Sequence, residues 1–277
     1  MNFVNKIFLH FLIIIINIFP QEYLYEQLRY ADSLFNTEKY FDAITEYKRL
    51  LYFDSTKQFS FQANLKIGLS YKEGGKLSES IKYFTLAEMN AANSKQLFES
   101  KIYQVRSNIL RRTTARADKI LDELESDKRL IEFKREIKYW RAWNKIFSDE
   151  WEEASELFSQ LNETKLAELC LNTHNKLYSV DFAKYSSMIL PGLGQFYTGE
   201  YVSGLISLVW NLVSGYLTIN AFNSDRVFDG IVTANLLWFR FYRGNFQNAE
   251  KFAMEKNFTI TNQTLQFLND KFDGLKP

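Results

Sequence analysis

The sequence predicts an all-α protein: a solenoid of four helical-hairpin repeats followed by a transmembrane helical hairpin. Three observations predict it. Ala43, Ser80, Ala117 and Ala154 recur 37 residues apart, and a fixed period in that range marks an array of stacked units. Tyr201 to Phe222 is a run of 22 residues without a charge, long enough to cross a bilayer core of about 30 Å as a helix. The 277 residues include only three prolines and 11 glycines, which favours long helices over strands and tight turns.

Residues 1–21 read as a signal peptide or an N-terminal anchor. Lys6 supplies a positive start, residues 7–19 an apolar core, and Pro20-Gln21-Glu22 an abrupt end, the pattern of an export signal. The core falls short of the ~20 residues of a comfortable span. Asn17, Ile18 and Phe19 provide no small-x-small cleavage site, and no cysteine follows for lipoprotein processing.

Residues 22–163 carry the repeats, with helices expected at 22–36, 40–53, 59–73, 77–90, 95–111, 114–126, 130–147 and 151–161. Other columns keep the phase. Four residues after each small position stand Tyr47, Phe84, Leu121 and Phe158, and seven after it Leu50, Ala87, Leu124 and Leu161. Twelve before it stand Ala31, Gly68, Val105 and Ala142, and three before it Tyr40, Leu77, Thr114 and Trp151. Small residues twelve apart, with a large one four later, suit antiparallel helices that cross closely. Gly74-Gly75 and Asp149-Glu150 fall where breaks are required. An irregular bundle with accidentally periodic stripes is the rival reading, and four units in phase speak against it.

This pattern resembles the tetratricopeptide repeat. Tyr71 matches the family's aromatic after the first small position, and Ala43, Tyr47 and Asp54-Ser55 match the end of its motif. Leu34, Asn108 and Lys145 depart from it, and the closing proline is absent from all four units. The resemblance implies a protein-binding groove lined by the first helix of each repeat. Carried over position by position, it points to Leu28, Asp32, Leu65, Leu69, Lys72, Ile102, Arg106, Tyr139 and Trp143. Arg, Tyr and Trp dominate binding energy at interfaces, yet Trp143 suits a helix-packing core as well as a groove.

A helical linker is expected at 164–184, a two-helix membrane domain at 185–256 and a partly helical tail at 257–277. In the membrane domain, Ser203, Gly204, Ser207, Ser214 and Gly215 would allow close helix approach. A second apolar run, residues 227–242, carries Asp229 and Arg240 and is a marginal span. Pro191-Gly-Leu-Gly-Gln-Phe-Tyr-Thr-Gly199 resembles the P-G-x-G-Q-x-Y-x-G motif of small two-helix membrane domains in bacterial envelope proteins. Tyr242-Arg-Gly-Asn245 with Asn248 and Ala249 fits the way such domains leave their second helix. The motif residues are Pro191, Gly192, Gly194, Gln195, Tyr197 and Gly199, with Gln195 and Tyr197 expected at the membrane interface. A phosphate cradle at Gly192-Leu-Gly194 is a poor fit, because no third glycine and no Lys-Ser/Thr follow.

Chemistry finds little support. Lys and Arg number 34 against 33 Asp and Glu, which removes a bulk electrostatic argument for nucleic acid. Cys170 and His174 share a helical face, but no third orienting residue can be named for a nucleophile. The other histidine, His10, lies in the export signal, so no histidine metal cluster is expected. The expectation is therefore no enzyme, no cofactor and no small-molecule substrate. The repeats would bind a protein partner, and residues 201–242 would hold them in a bacterial membrane.

Orientation carries a conflict. The export signal puts the repeats on the non-cytoplasmic side, whereas Lys176, Lys184, Arg240, Arg243, Lys251 and Lys256 flank the hairpin as for cytoplasmic ends. The first segment usually dominates, which favours the periplasmic side. The alternative function is a subunit of a transport or insertion machine whose hairpin does the work, with Gln195, Asn211 and Asp229 along a polar path.

Overall fold

Where the chain breaks is written in its backbone angles. Glu38, Gly75, Arg112 and Asp149 adopt left-handed φ of 60°, 71°, 57° and 63°, and they too lie 37 residues apart. At each, the next amide reaches back into the preceding helix: Lys39 to Leu34 O at 2.9 Å, Lys76 to Tyr71 O at 2.8 Å, Thr113 to Asn108 O and Glu150 to Lys145 O at 2.9 Å. This arrangement satisfies orphan carbonyls at a helix end. Only Gly75 adopts it without a side-chain clash.

The computed structural model describes residues 22–277, so the export-signal reading of 1–21 lies outside the described residues. Helix α1 covers 22–36, followed by α2 (Tyr40–Phe53), α3 (Ser60–Glu73), α4 (Leu77–Met89), α5 (Ser94–Leu110), α6 (Thr114–Ser126), α7 (Lys134–Phe147), α8 (Trp151–Gln160) and α9 (Thr164–His174). Observed bounds follow the expected ones closely except before α7. There a 3₁₀ segment takes Lys128–Phe133, and Leu130 leaves helical geometry. The Asp127 carboxylate accepts from the Arg129 amide at 3.0 Å and pairs with its guanidinium, a local bond that competes with helix propagation.

Two compact units are present. Among the described residues, the first holds 22–170 together with Leu275–Pro277, and the second holds Leu171–Gly274. In the first, each of α2 to α7 packs on the next, and α3, α5 and α7 also touch in succession. The phased columns are its core: Ala43, Ser80, Ala117 and Ala154 are fully buried, as are Tyr47, Phe84, Leu121 and Phe158. A Cβ at Gly68 would lie 2.5 Å from the Phe84 ring. The small residue of a first helix thus makes room for the large residue of the second, which is why both columns keep one period.

The second unit is built from α10 (Val180–Ile189), the short α11 (Leu193–Tyr197), α12 (Tyr201–Asn223), α13 (Val227–Thr233) and α14 (Phe239–Lys271). A π-helical segment, Ala234–Trp238, joins α13 to α14 without leaving helical geometry. Asp225, at φ 57°, closes α12, and the chain returns along it, with α13, the π segment and α14 all packing on α12. Among the described residues, α12 is the one helix long and apolar enough to cross a bilayer. The return helix, with Asp229 and Arg240, does not reach that standard.

Candidate functional site

The first unit offers the face made by its first helices. Four of the nine expected groove residues are core instead: Leu28, Leu65, Ile102 and Trp143 are buried. Trp143 packs edge-on against Phe158 at 6.3 Å. Asp32 accepts a hydrogen bond of 2.5 Å from Tyr47 of the neighbouring helix, and Leu69 packs against the Leu65–Phe84 cluster. Lys72, Arg106 and Tyr139 are the polar groups left partly open.

Those three form a charged and aromatic patch. Arg106 lies over the rings of Tyr103 at 5.1 Å and Trp140 at 4.7 Å, a geometry that attracts a cation to a ring face. Burial lowers the Lys72 pKa, and the Arg106 charge lowers it further. Burial likewise pushes Tyr139 and Tyr103 upward. The patch is occupied. An Arg106 Nη2 donates to the Lys276 carbonyl at 2.8 Å, and the Tyr139 hydroxyl donates to the Leu275 carbonyl at 2.6 Å. Arg106 Nε is buried and has no hydrogen-bond partner among the described residues.

In the second unit the P-G-x-G-Q-x-Y-x-G residues tie helices together. Gly192 has φ 93°, and a Cβ there would sit 2.4 Å from the Gly204 carbonyl oxygen. At Gly194 a Cβ would fall 2.0 Å from the Ala183 oxygen, so nothing larger than glycine fits either place. Gln195, expected at the membrane interface, is fully buried within the protein. Its amide donates to the Asn245 carbonyl at 2.9 Å and accepts from Ser187 at 3.1 Å.

Asn245 is the hub. Its Oδ1 accepts from the Gly192 amide at 2.8 Å, from Ser207 at 2.8 Å and from Gln195 at 3.1 Å, while its Nδ2 donates to the Ser187 carbonyl at 2.6 Å. Ser187 in turn accepts from the Gly194 amide at 2.8 Å. Both glycine amides are therefore engaged internally, and neither is free to cradle a phosphate. Pro191 opens the turn, Gly199 closes α11 at φ 79°, and the Tyr197 hydroxyl accepts from the Ser179 amide at 3.0 Å. Tyr242 donates to the Met188 carbonyl at 2.8 Å.

Beside this knot a cleft of about 320 Å³ opens between α12 and α14, lined by Ser207, Asn211, Arg240, Asn245 and Asn248 among others. Asn211 Oδ1 is buried there with no hydrogen-bond partner among the described residues. Of the residues expected along a polar path, only Asn211 lines it. Gln195 is spent in the network, and Asp229 is exposed and faces Arg226 at 3.6 Å.

Cys170 is fully buried, and burial pushes its thiol up to about 12. At neutral pH it is a protonated core group and a poor nucleophile. Among the described residues no group of His, Cys, Asp and Glu is placed to hold a metal. No protein-family model matches this chain. Neither the curated proteins nor the solved structures contain a match to it.

Sequence reasoning missed Tyr103, Trp140, Ser187 and the Leu275–Lys276 segment. Tyr103 stands three residues before Arg106 on one helical face, a signal that was available. The segment's role had no local signature.

Proposed function

We propose that the protein is a membrane-anchored interaction scaffold of the bacterial cell envelope. Its first unit binds a protein partner through the first-helix face, and its second unit is embedded in the bilayer. One observation carries this reading: the second unit buries polar groups and exposes apolar ones. Gln195, Ser187 and Asn245 lie inside, whereas Val202 is 73% exposed and Phe228 78% exposed. Only 28% of the apolar window of α12 is buried, where the core helix of a water-soluble domain would be mostly covered. Such a surface suits lipid, because exposed apolar area of this extent is unfavourable in water. The left-handed turns and phased columns of the first unit support the tetratricopeptide-like reading, and Arg106 and Tyr139 supply residue types that anchor partners.

Carbonate washing tests the anchor. Membranes from cells carrying the chain with residues 1–21 replaced by a cleavable signal should retain it in the pellet; release into the supernatant would overturn the reading. Placement on the periplasmic side predicts that a reporter working only outside the cytoplasm is active after Pro277 and inactive at Ser224. The reverse pattern would put the repeats in the cytoplasm.

The cleft beside Asn211 favours a second reading, a transport or insertion subunit whose hairpin is the working part. In that case Arg240→Ala would abolish function in cells while residues 22–163 could be deleted without effect. The scaffold reading expects the opposite.

A further inference from the structure

We infer that the patch around Arg106 is a site for an extended peptide read through successive main-chain carbonyls, and that Leu275–Lys276 is its resident occupant, a tethered competitor of the partner. This inference rests on the proposed role of the first-helix face in partner binding. Two consecutive carbonyls are taken by side chains from two different helices, Tyr139 of α7 and Arg106 of α5. The segment that presents them is suited to it: α14 ends at Lys271, and residues 272–277 form no regular structure that would use those carbonyls.

Bonds to the main chain do not depend on the identity of the bound side chains, so one peptide can replace another in the same register. The guanidinium is held against the Tyr103 and Trp140 rings, so little freedom is lost when a segment binds. The charge of the patch favours an acidic segment over the resident one. Lys72 and Arg106 act on each other as like charges, with Glu73 3.8 Å from Lys72 and Glu136 also acting on Arg106. A peptide with a carboxylate in place of Lys276 would bring the opposite charge.

The test uses the intact chain in detergent, a chain ending at Gly274, and two fluorescein-labelled peptides: residues 269–277, and the same peptide with Lys276→Glu. A segment tethered at an effective concentration of order millimolar weakens binding of a ~0.1 mM ligand about tenfold. Fluorescence polarisation should therefore show the shortened chain binding either peptide about tenfold more tightly than the intact one. The Lys276→Glu peptide should bind more tightly than the native one, by a margin that shrinks with salt. Tyr139→Phe, which keeps the ring and removes only the donor, should weaken binding to the shortened chain. Equal binding by intact and shortened chains would overturn the tethered competitor while leaving the peptide-binding face intact. Binding by neither, with helical circular dichroism retained, would overturn the face itself.

Discussion

In the first unit the bulkiest side chains removed from solvent include Tyr47, Phe84, Leu121, Phe158 and three tryptophans; in the second the buried set is led by Gln195, Ser187, Asn245, Ser214 and Thr218, with small alanines between. Outside, the order reverses. The first unit carries ion pairs such as Arg141 with Asp122 at 2.8 Å and Lys101 with Glu123 at 2.7 Å. The second shows Val202, Leu205, Leu212 and Ile219 along α12. Both are helical, so backbone hydrogen bonding cannot account for the contrast. The proposed setting of each unit accounts for it: water drives apolar columns inward, whereas lipid would leave packing of small residues and interhelical hydrogen bonds to hold helices together.

The contrast can be broken most severely at Asn245. Replacing it with Leu would leave the Gly192 amide and Ser207 without their acceptor and the Ser187 carbonyl without its side-chain donor, and stranded buried groups cost ~1–3 kcal/mol each. Thermal unfolding in detergent should show loss of the second unit by ~3–5 kcal/mol, with the first unit melting as before. An unchanged transition would mean that the network does not hold that unit together.

An apolar substitution should also damage the first unit, but through volume. Ala154→Leu forces a larger side chain into a fully buried crossing, and overpacking costs ~1–3 kcal/mol. Damage should spread to neighbouring repeats, because each is held mainly by contacts with the next. A midpoint in denaturant equal to the parent's would show that the 37-residue register is misplaced.

Cys170 gives a pH test confined to the first unit. Its folded pKa, about 12, stands above the ordinary thiol value of about 8.5. Between those values the unfolded chain has released a proton that the folded chain keeps, so stability falls as pH rises. At about pH 10 the loss is ~1–2 kcal/mol, and it should be smaller in Cys170→Ala. Equal pH dependence of the two chains would show that the thiol is not buried in the native state.

The smallest effect is expected one residue from Ala154. Glu153 is exposed and pairs with Lys145 at 2.7 Å, and exposed pairs contribute only ~0–1 kcal/mol. Glu153→Leu should therefore leave the midpoint nearly unchanged. A drop as large as that of Ala154→Leu would remove the distinction between phased and unphased positions.

The two units also differ in how much of each was legible beforehand. The repeats declared themselves because their partners lie close in sequence: Gly68 meets Phe84 sixteen residues on, and the same offset recurs in each unit. What periodicity cannot separate is groove from core along one helix: Ile102 falls among the groove positions yet is buried, and Trp143, which suits either role, is buried too. In the second unit the motif was visible but its purpose was not. Gly192 and Ser187 find Asn245 at separations of 53 and 58 residues, beyond any local pattern. Gln195, expected at the membrane interface, is an internal strut whose partners no local pattern names. The occupant of the Arg106 patch lies 170 residues away, and no spacing rule reaches that far.

The π-helical segment at Ala234–Trp238 acts as a phase shifter. One residue more than an α-helical turn requires is accommodated there, and each residue of an α-helix turns the chain by about 100°. Everything downstream, Asn245 included, therefore keeps the aim it would have in a regular α-helix one residue shorter. Excising a single residue from this stretch would close the wide turn and leave Asn245 facing Gly192, whereas one further inserted residue would aim a different side chain there. The knot at the P-G-x-G-Q turn thus depends on a count of residues as much as on their identity, and a one-residue insertion ahead of Asn245 would be as damaging as the loss of Asn245 itself.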